Sequence, residues 1–227
     1  MLSPLIDDVA QRILTLNKLD QRDNLRRLLR DIGVASGARV LDYGCGTGLF
    51  ATTLAENGAR YVGYDLDERV VKYASRRYPS LTFTHAAETA ARHGPYDYVV
   101  ANCCFHHIPD TQASGALDFI RRSLGPDGRF VMIDLLAPSD TVTTSPLHHL
   151  YGLIERGASI RCDDDNVRLL EAQFDVVRAG VARTHLLSMR RSPLYTNLGM
   201  YVCRPRASAT VMSVGDGLRL AHVKKSP

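Results

Sequence analysis

The sequence lacks the features that would assign the protein to a membrane, to secretion or to a nucleic acid. No apolar run approaches the roughly 18 residues of a membrane-spanning helix. The N-terminal stretch "MLSPLIDDVAQRI" has no basic region and carries two acids, which argues against a signal peptide. The formal net charge of +4 is spread along the chain, as is typical of a solvated surface. We therefore expect a cytoplasmic protein with a small-molecule substrate and with neither a membrane nor a nucleic acid as partner.

The sequence also lacks a disulfide framework. Its five cysteines are odd in number and form no C-x-x-C pair, so free thiols in a reducing compartment are expected. A composition of 45% hydrophobic and 23% charged residues over 227 residues suits one globular domain. We place this domain at residues 1–205, with N-terminal helices at 1–38, a lid-like insert at 138–162 and a mobile tail at 206–227.

Apolar strand patterns alternate with helical patterns from position 39 onward. The predicted strands span 39–44, 60–65, 81–86, 96–103, 129–136, 174–182 and 195–205. The helices between them span 48–58, 68–79, 115–128 and 163–173, and the helix at 115–128 includes its closing turn. Such alternation is typical of parallel strands joined by helical crossovers. The pattern predicts a doubly wound α/β fold with a mostly parallel seven-stranded sheet, an antiparallel hairpin at its C-terminal end, N-terminal helices and a helical lid insert.

A glycine-rich loop, "VLDYGCGTG", follows the first strand. Gly44, Gly46 and Gly48 allow a tight turn against a ligand, and the next helix directs backbone N–H groups at it. Asp65, at the end of the second strand, can accept both hydroxyls of a ribose. The NAD pattern G-x-G-x-x-G is not met, because the third glycine comes one residue early. The compressed loop favours a ligand that has no pyrophosphate.

Four stretches together resemble the class I S-adenosylmethionine-dependent methyltransferases of the small-molecule type. They are "VLDYGCGTG" (40–48), "YVGYDLDE" (61–68), "YDYVVANCCFHHIPD" (96–110) and "LGPDGRFVMID" (124–134). They occur in the family's order and spacing over about residues 34 to 136. The resemblance implies S-adenosyl-L-methionine as the cofactor.

The resemblance also implies roles for individual residues. Gly44 and Gly46 would line the methionine end, Asp42 would reach its amino group through water, Asp65 would hold the ribose and Leu66 would pack on the adenosine. The full cofactor-binding set that we expect is Asp42, Gly44, Cys45, Gly46, Asp65, Leu66, Ala87, Glu88, Asn102 and Cys103. One departure is Ala86, which stands where many relatives carry an acid near the adenine. Glu88 either substitutes for that acid or is simply solvated.

The stretch 102–110 concentrates reactive side chains, with two adjacent cysteines and two adjacent histidines. Neighbours on an extended strand end point to opposite sides, so four zinc ligands would not converge, and the cysteines are better explained as core. The resemblance implies that this strand end faces the transferred methyl group. His106 is therefore our first candidate for a general base. The alternative, a purely structural histidine, stays open.

The insert supplies three further candidates for catalysis, His148, His149 and Tyr151. On a helix above the cofactor site they would help to shape the acceptor pocket, although an amphipathic helix with exposed polar residues explains them equally well. The acids of "CDDDN" (162–166) are explained as helix N-terminal residues rather than as a metal site.

The motifs predict methyl transfer to a small or medium-sized organic acceptor, with O- or C-methylation favoured by the histidines. Two alternatives stay open because the motifs report cofactor binding rather than transfer. One is a cyclase or another non-methylating enzyme that keeps the cofactor as a structural element. The other is a non-catalytic scaffold subunit, against which the intact Gly44, Gly46 and Asp65 argue.

Overall fold

A computed structural model describes residues 20–139, 145–149, 159–185 and 193–206 of the chain. The expected tail from position 207 onward, most of the insert with Tyr151, and the first 19 residues lie outside the described residues. The expected domain boundary at 205 coincides with the end of the last described strand, Tyr195–Pro205.

Seven strands and seven helices are found in these ranges. In chain order they are α1 (20–31), β1 (Arg39–Tyr43), α2 (Ala51–Leu54), β2 (Arg60–Tyr64), α3 (Glu68–Arg77), β3 (Thr82–Thr84), α4 (Ala87–Arg92), β4 (Tyr96–Asn102), α5 (Asp110–Ser123), β5 (Leu124–Leu135), α6 (146–149), α7 (Asp163–Glu171), β6 (Phe174–His185) and β7 (Tyr195–Pro205).

The strands form one sheet in the order β3-β2-β1-β4-β5-β7-β6. The first five strands of this order run parallel, and β7 is antiparallel to both of its neighbours. The prediction of a mostly parallel seven-stranded sheet with a C-terminal antiparallel hairpin is confirmed. Strand order reverses between β1 and β4, and in open α/β sheets the crevice beyond that point is where ligands bind.

The sheet is apolar on both faces because helices cover both. On one face α5 packs Leu117 and Ile120 against the sheet, with Phe130 fully buried beneath them. On the other face α1 contributes Leu25 and Leu28 to a second core cluster. The strands between two such layers read as nearly continuous apolar runs, which is why the sequence pattern located them.

Several element boundaries differ from those expected. Helix α5 begins at Asp110 rather than at 115, because Pro109 stops the preceding turn and an acid occupies the first helical turn. The stretch 124–128, expected as a turn, belongs to β5, where Leu124 pairs with Tyr96. Helix α2 has only four residues and continues into a 3-10 turn at Glu56–Gly58. Helix α4 was not predicted.

Arg161 ties the end of the insert to the turn that follows β4. Its guanidinium is buried and donates to the carbonyl oxygens of Phe105 and Ile108 at 3.0 and 2.8 Å. It also donates to the carboxylate of Asp110 from Nε and from Nη2, at 2.9 and 2.6 Å. This one side chain therefore fixes both ends of the turn at 105–108. None of the described helices has the length and apolar character needed to cross a membrane.

We expect Arg161→Ala to lower the free energy of unfolding by roughly 2–4 kcal/mol, because two backbone carbonyls would lose a charged donor in a buried site. Urea denaturation followed by circular dichroism would measure it. Arg168→Ala is the matched control, since Arg168 forms an exposed ion pair with Asp165 on one helix and should change the free energy of unfolding much less. Equal losses in the two variants would contradict the assignment of Arg161 as a buried tie.

Candidate active site

The glycine loop leaves the carboxyl end of β1 and is fastened to the neighbouring strand. The backbone N–H groups of Gly44 and Cys45 both donate to the carbonyl oxygen of Tyr64, at 2.8 and 3.0 Å. Gly44 has a φ of +75°, and a Cβ there would lie 2.2 Å from the sulfur of Cys104. The loop can therefore pass over β4 only with glycine at this position.

Gly46 faces open space. Its φ is +51°, and no atom lies within 4 Å of where a Cβ would stand, as far as the described residues go. Its N–H donates to the carboxylate of Asp65 at 2.9 Å, and the other oxygen of that carboxylate accepts from the N–H of Asp67 at 3.0 Å. Asp65 thus lies beside the loop at the end of β2, as the sequence predicted.

Two cavities adjoin this loop at the carboxyl edge of the sheet. The first, of about 180 Å³, is lined by Gln21, Asp42, Gly44, Cys45, Gly46, Thr47, Leu49, Phe50, Asn102, Cys103, His106, His107, Leu135 and Leu198. The second, of about 390 Å³, is lined by Tyr43, Gly44, Gly46, Tyr64, Asp65, Leu66, Cys103, Cys104, His107, Ile108 and Gln112. The two cavities share four lining residues, Gly44, Gly46, Cys103 and His107. The structure brings most of the expected cofactor residues together there.

Asp42 is the charged group of the first cavity. Its side chain is buried, and the hydroxyl of Tyr61 donates to it at 2.8 Å. Burial, together with the nearby charge of Asp65, raises the pKa of Asp42 to about 7 even though the Tyr61 hydrogen bond lowers it. An ammonium group in the cavity would favour the ionised carboxylate.

Two buried amides beside Asp42 have unused hydrogen-bonding capacity. Within the described part of the chain, no partner lies within hydrogen-bond distance of Nε2 of Gln21, or of either polar atom of the Asn102 amide. Gln21 and Asn102 are only 4% and 7% exposed. Buried amides are normally paired, so both point to a ligand that is polar at this end of the cavity. Gln21 was not predicted as a site residue, because only tertiary packing brings α1 over the end of β4.

The second cavity is more apolar. Leu66 is 79% exposed, which is unusual for a leucine and gives this cavity a bare hydrophobic wall. The remaining expected residues, Ala87 and Glu88, begin helix α4 and line neither cavity, with Glu88 exposed. These two residues therefore do not share a cavity with the other expected cofactor-binding residues.

His106 and Asp134 form a buried pair at the ends of the two central strands. Nδ1 of His106 is hydrogen-bonded to Oδ1 of Asp134, and the backbone N–H of His106 donates to Oδ2 at 2.8 Å. The two side chains are 4% and 2% exposed. His106 lines the first cavity. Asp134 was not predicted as a site residue, although it ends the motif "LGPDGRFVMID" at the same edge of the sheet.

Two cysteines of this region, Cys45 and Cys104, are held in their neutral form. Burial raises the pKa values of the Cys45 and Cys104 thiols, so both stay protonated. Cys103 has a φ of +53°, and its N–H donates to the carbonyl oxygen of Ile133 at 2.7 Å. A left-handed backbone at a residue other than glycine costs of order 1 kcal/mol, and here it turns the chain from β4 into the histidine segment. His107, which follows in that segment, is exposed.

The histidines of the insert lie apart from both cavities. His148 is buried, and its Nδ1 accepts from the backbone N–H of Asn197 at 3.2 Å. Burial lowers its pKa, so the ring is neutral and able to accept this bond. Ser145 bonds to the backbone of Tyr195 nearby, so α6 is anchored on the start of β7. His149 is exposed beside it.

A family model described as a methyltransferase domain matches residues 13–187. The chain belongs to the S-adenosylmethionine-dependent methyltransferases. S-adenosylmethionine is accordingly its cofactor.

Individual relatives agree with this membership. This methyltransferase is 26% identical over 212 residues to an uncharacterised methyltransferase of Synechocystis sp. (strain ATCC 27184 / PCC 6803 / Kazusa), covering 92% of this chain and 94% of the relative. It is 26% identical over 203 residues to a ubiquinone biosynthesis O-methyltransferase of Psychrobacter arcticus, with coverages of 78% and 75%. Magnesium protoporphyrin IX methyltransferase of Synechocystis PCC 6803, solved with bound S-adenosylhomocysteine, shares the fold with a TM-score of 0.62, at 23% identity and 86% coverage of both chains.

Asp42 makes the stability of this methyltransferase depend on pH. The folded protein holds the Asp42 proton up to a pH of about 7, whereas an unfolded chain releases it near pH 4. The group therefore favours folding at low pH, and this contribution is lost as the pH rises through 7.

We expect Asp42→Asn to raise the free energy of unfolding at pH 8 by on the order of 3 kcal/mol and to change it much less at pH 4. The amide keeps the shape of the neutral acid and cannot ionise. Denaturant titrations of the ligand-free protein at both pH values would measure the difference. An equal effect at both would show that Asp42 does not titrate in this range.

Proposed function

We propose that this methyltransferase transfers a methyl group from S-adenosylmethionine to a hydroxyl oxygen or an acidic carbon of a small organic acceptor, with His106 as the general base. The observation that carries the proposal is the position of His106. It lines the same cavity as the glycine loop while Asp134 holds its Nδ1. An acceptor that must lose a proton needs such a base, whereas a free amine or a thiolate does not.

The residues of the first cavity fit the amino acid end of the cofactor. Its ammonium group would donate to Asp42 and to the amide oxygen of Asn102, and its carboxylate would accept from Nε2 of Gln21. The cavity thus supplies acceptors and a donor to a ligand that carries both charges. Asp65 would accept from the ribose hydroxyls, and the bare side chain of Leu66 would pack on the adenosine.

The acceptor would occupy the part of the first cavity that lies next to His106. Leu135 at the end of β5 and Leu198 in β7 line it there, and Phe50 lines it beyond the glycine loop. These side chains suit an apolar or aromatic scaffold that carries the reacting group. The relative named as a ubiquinone biosynthesis O-methyltransferase supports the choice of hydroxylated aromatic compounds as the first acceptors to test.

The roles in transfer divide between positioning and proton removal. When bound, S-adenosylmethionine supplies a sulfonium methyl group, whose transfer breaks the C–S bond and leaves a neutral thioether. The cavity walls hold the acceptor in line with that bond. Nε2 of His106 takes the acceptor proton as the new bond forms, and the resulting imidazolium is stabilised by the Asp134 carboxylate until the proton passes to solvent. His148 would support α6 rather than react, since its Nδ1 already accepts a backbone hydrogen bond.

We expect Gln21→Leu to weaken the binding of S-adenosylhomocysteine by roughly tenfold, because one buried charge-assisted hydrogen bond is worth about 1.5–3 kcal/mol. Isothermal titration calorimetry would measure it. The affinity for 5′-methylthioadenosine, which has no amino acid end, should stay within about twofold and serves as the control. Equal losses for both ligands would contradict the assignment of Gln21 to the carboxylate.

We expect His106→Gln to lower the turnover of an O–H or C–H acceptor by roughly 10²–10⁴-fold while the affinity for S-adenosylhomocysteine changes little. Transfer of a labelled methyl group would be followed over a panel of catechols, hydroquinones, carboxylic acids, thiols and amines. His93→Gln, an exposed histidine on α4's C-terminal cap, is the matched control.

The same panel separates the proposal from its rivals. Label that appears only in amines, or full turnover by His106→Gln, would contradict a general base. A product formed without label from an acceptor that is consumed would indicate a non-methylating enzyme on the same fold.

A further inference from the structure

We propose that Asp134 is the positioning residue of the active site, because it fixes the tautomer and the orientation of the His106 ring. In this arrangement Nδ1 carries the proton and Nε2 keeps its lone pair, on a ring that belongs to the lining of the first cavity. The inference rests on the proposed role of His106 as the base. It adds a second residue to the site, one that touches neither the acceptor nor the cofactor.

The hydrogen bonds around the carboxyl group decide which nitrogen carries the proton. Backbone N–H groups donate to both of its oxygens, from His106 to Oδ2 at 2.8 Å and from Leu135 to Oδ1 at 2.9 Å. A backbone N–H can only donate, and two such donors stabilise the ionised form of the Asp134 carboxyl group, which has no proton to give. The third bond, to Nδ1 of His106, then has the ring as donor, and the neutral imidazole is left with its lone pair on Nε2.

The backbone prevents the ring from turning away from this partner. β4 and β5 are adjacent parallel strands, and Asp134 comes immediately after the last paired residue, Ile133, which lies opposite Asn102. The chain turns back at Cys103 and places His106 over Asp134. The carbonyl of His106 accepts from the N–H of Ser159 at 3.0 Å. The segment that holds the ring is therefore bonded on both sides.

The other titratable groups near the pair do not compete for the role. Burial raises the pKa values of Cys104 and Tyr201, and the charge of Asp134 raises them further, so these two stay protonated and neutral. The His107 ring lies 4.0 Å from the His106 ring between centroids and is a neutral or cationic group. Among these neighbours, the Asp134 carboxylate alone can stabilise a proton on the His106 ring by its negative charge.

The test is the tautomer of His106, which does not require an acceptor. Side-chain 15N resonances of the histidines would be recorded by long-range 15N–1H correlation on the full chain with S-adenosylhomocysteine, at a pH where the ring is neutral. His106→Gln assigns the signals. We expect the Nδ1–H tautomer to dominate in the wild type. The amide of Asp134→Asn has only one oxygen to accept from the three donors that the carboxylate serves. In this variant we expect the ratio of the Nδ1–H to the Nε2–H tautomer to fall by roughly tenfold or more.

Asp163→Asn is the matched control. This carboxylate also accepts a side-chain hydrogen bond, from the Tyr201 hydroxyl at 2.5 Å, and it lines neither cavity. It should leave the His106 tautomer unchanged. S-adenosylhomocysteine binding by Asp134→Asn would show that the variant is folded.

The outcomes are decisive in each case. An Nε2–H tautomer in the wild type, which a protonated Asp134 donating to Nδ1 would produce, overturns the inference. An unchanged tautomer in a folded Asp134→Asn overturns it as well. If Asp134→Asn does not fold, the wild-type spectrum decides alone. Failure of the proposed function is a separate result, because full turnover by His106→Gln would deny the base while the tautomer still reported whether Asp134 positions the ring.

Discussion

The hydrogen bond from the backbone N–H of His106 to Asp134 joins the carboxyl ends of the two central strands, β4 and β5. The geometry of the candidate site at that edge of the sheet depends on this bond. Parallel strands end at the same edge of the sheet, so a side chain near the end of β5 can accept a hydrogen bond from the chain that leaves β4. Cys103 adopts a left-handed backbone to make that return possible. Arg161 fixes the far side of the turn by binding the carbonyls of Phe105 and Ile108. The His106 ring is therefore placed by the backbone and not by packing alone.

The first cavity places polar groups where a stable fold would avoid them. Asp42, Gln21 and Asn102 are all buried there, the acid with a raised pKa and the two amides with unused hydrogen-bonding capacity among the described residues. Each of these groups disfavours the ligand-free protein by the cost of removing it from water. A ligand that carries both an ammonium and a carboxylate group would satisfy all three. Burial of these polar groups thus lowers the stability of the ligand-free protein and favours binding, as is common at functional sites.

The parts of the fold and site that the sequence predicted are those that depend on local pattern. Strand β7 was located at its observed bounds because a strand buried on both faces is apolar throughout. Gly44 and Asp65 were found because loop geometry and ribose chemistry restrict the residue types. Gln21 and the pairing of Asp134 with His106 were not, because separations of 82 residues between Gln21 and its contact Cys103, and of 28 residues between Asp134 and His106, leave no periodic signal. The short helix α4 was missed because its alanines match no amphipathic pattern.

The reversal of strand order between β1 and β4 also divides the residues of the site into two groups. On one side, β1 and β2 supply Asp42, the glycine loop and Asp65, the groups that the family resemblance identifies with the cofactor. On the other side, β5 and β7 supply Asp134, Leu135 and Leu198, and the insert is anchored there through His148. The first half is recognisable from sequence because one invariant ligand restricts it. Under the proposed function the second half adjoins the acceptor, for which the sequence offers no motif of fixed spacing.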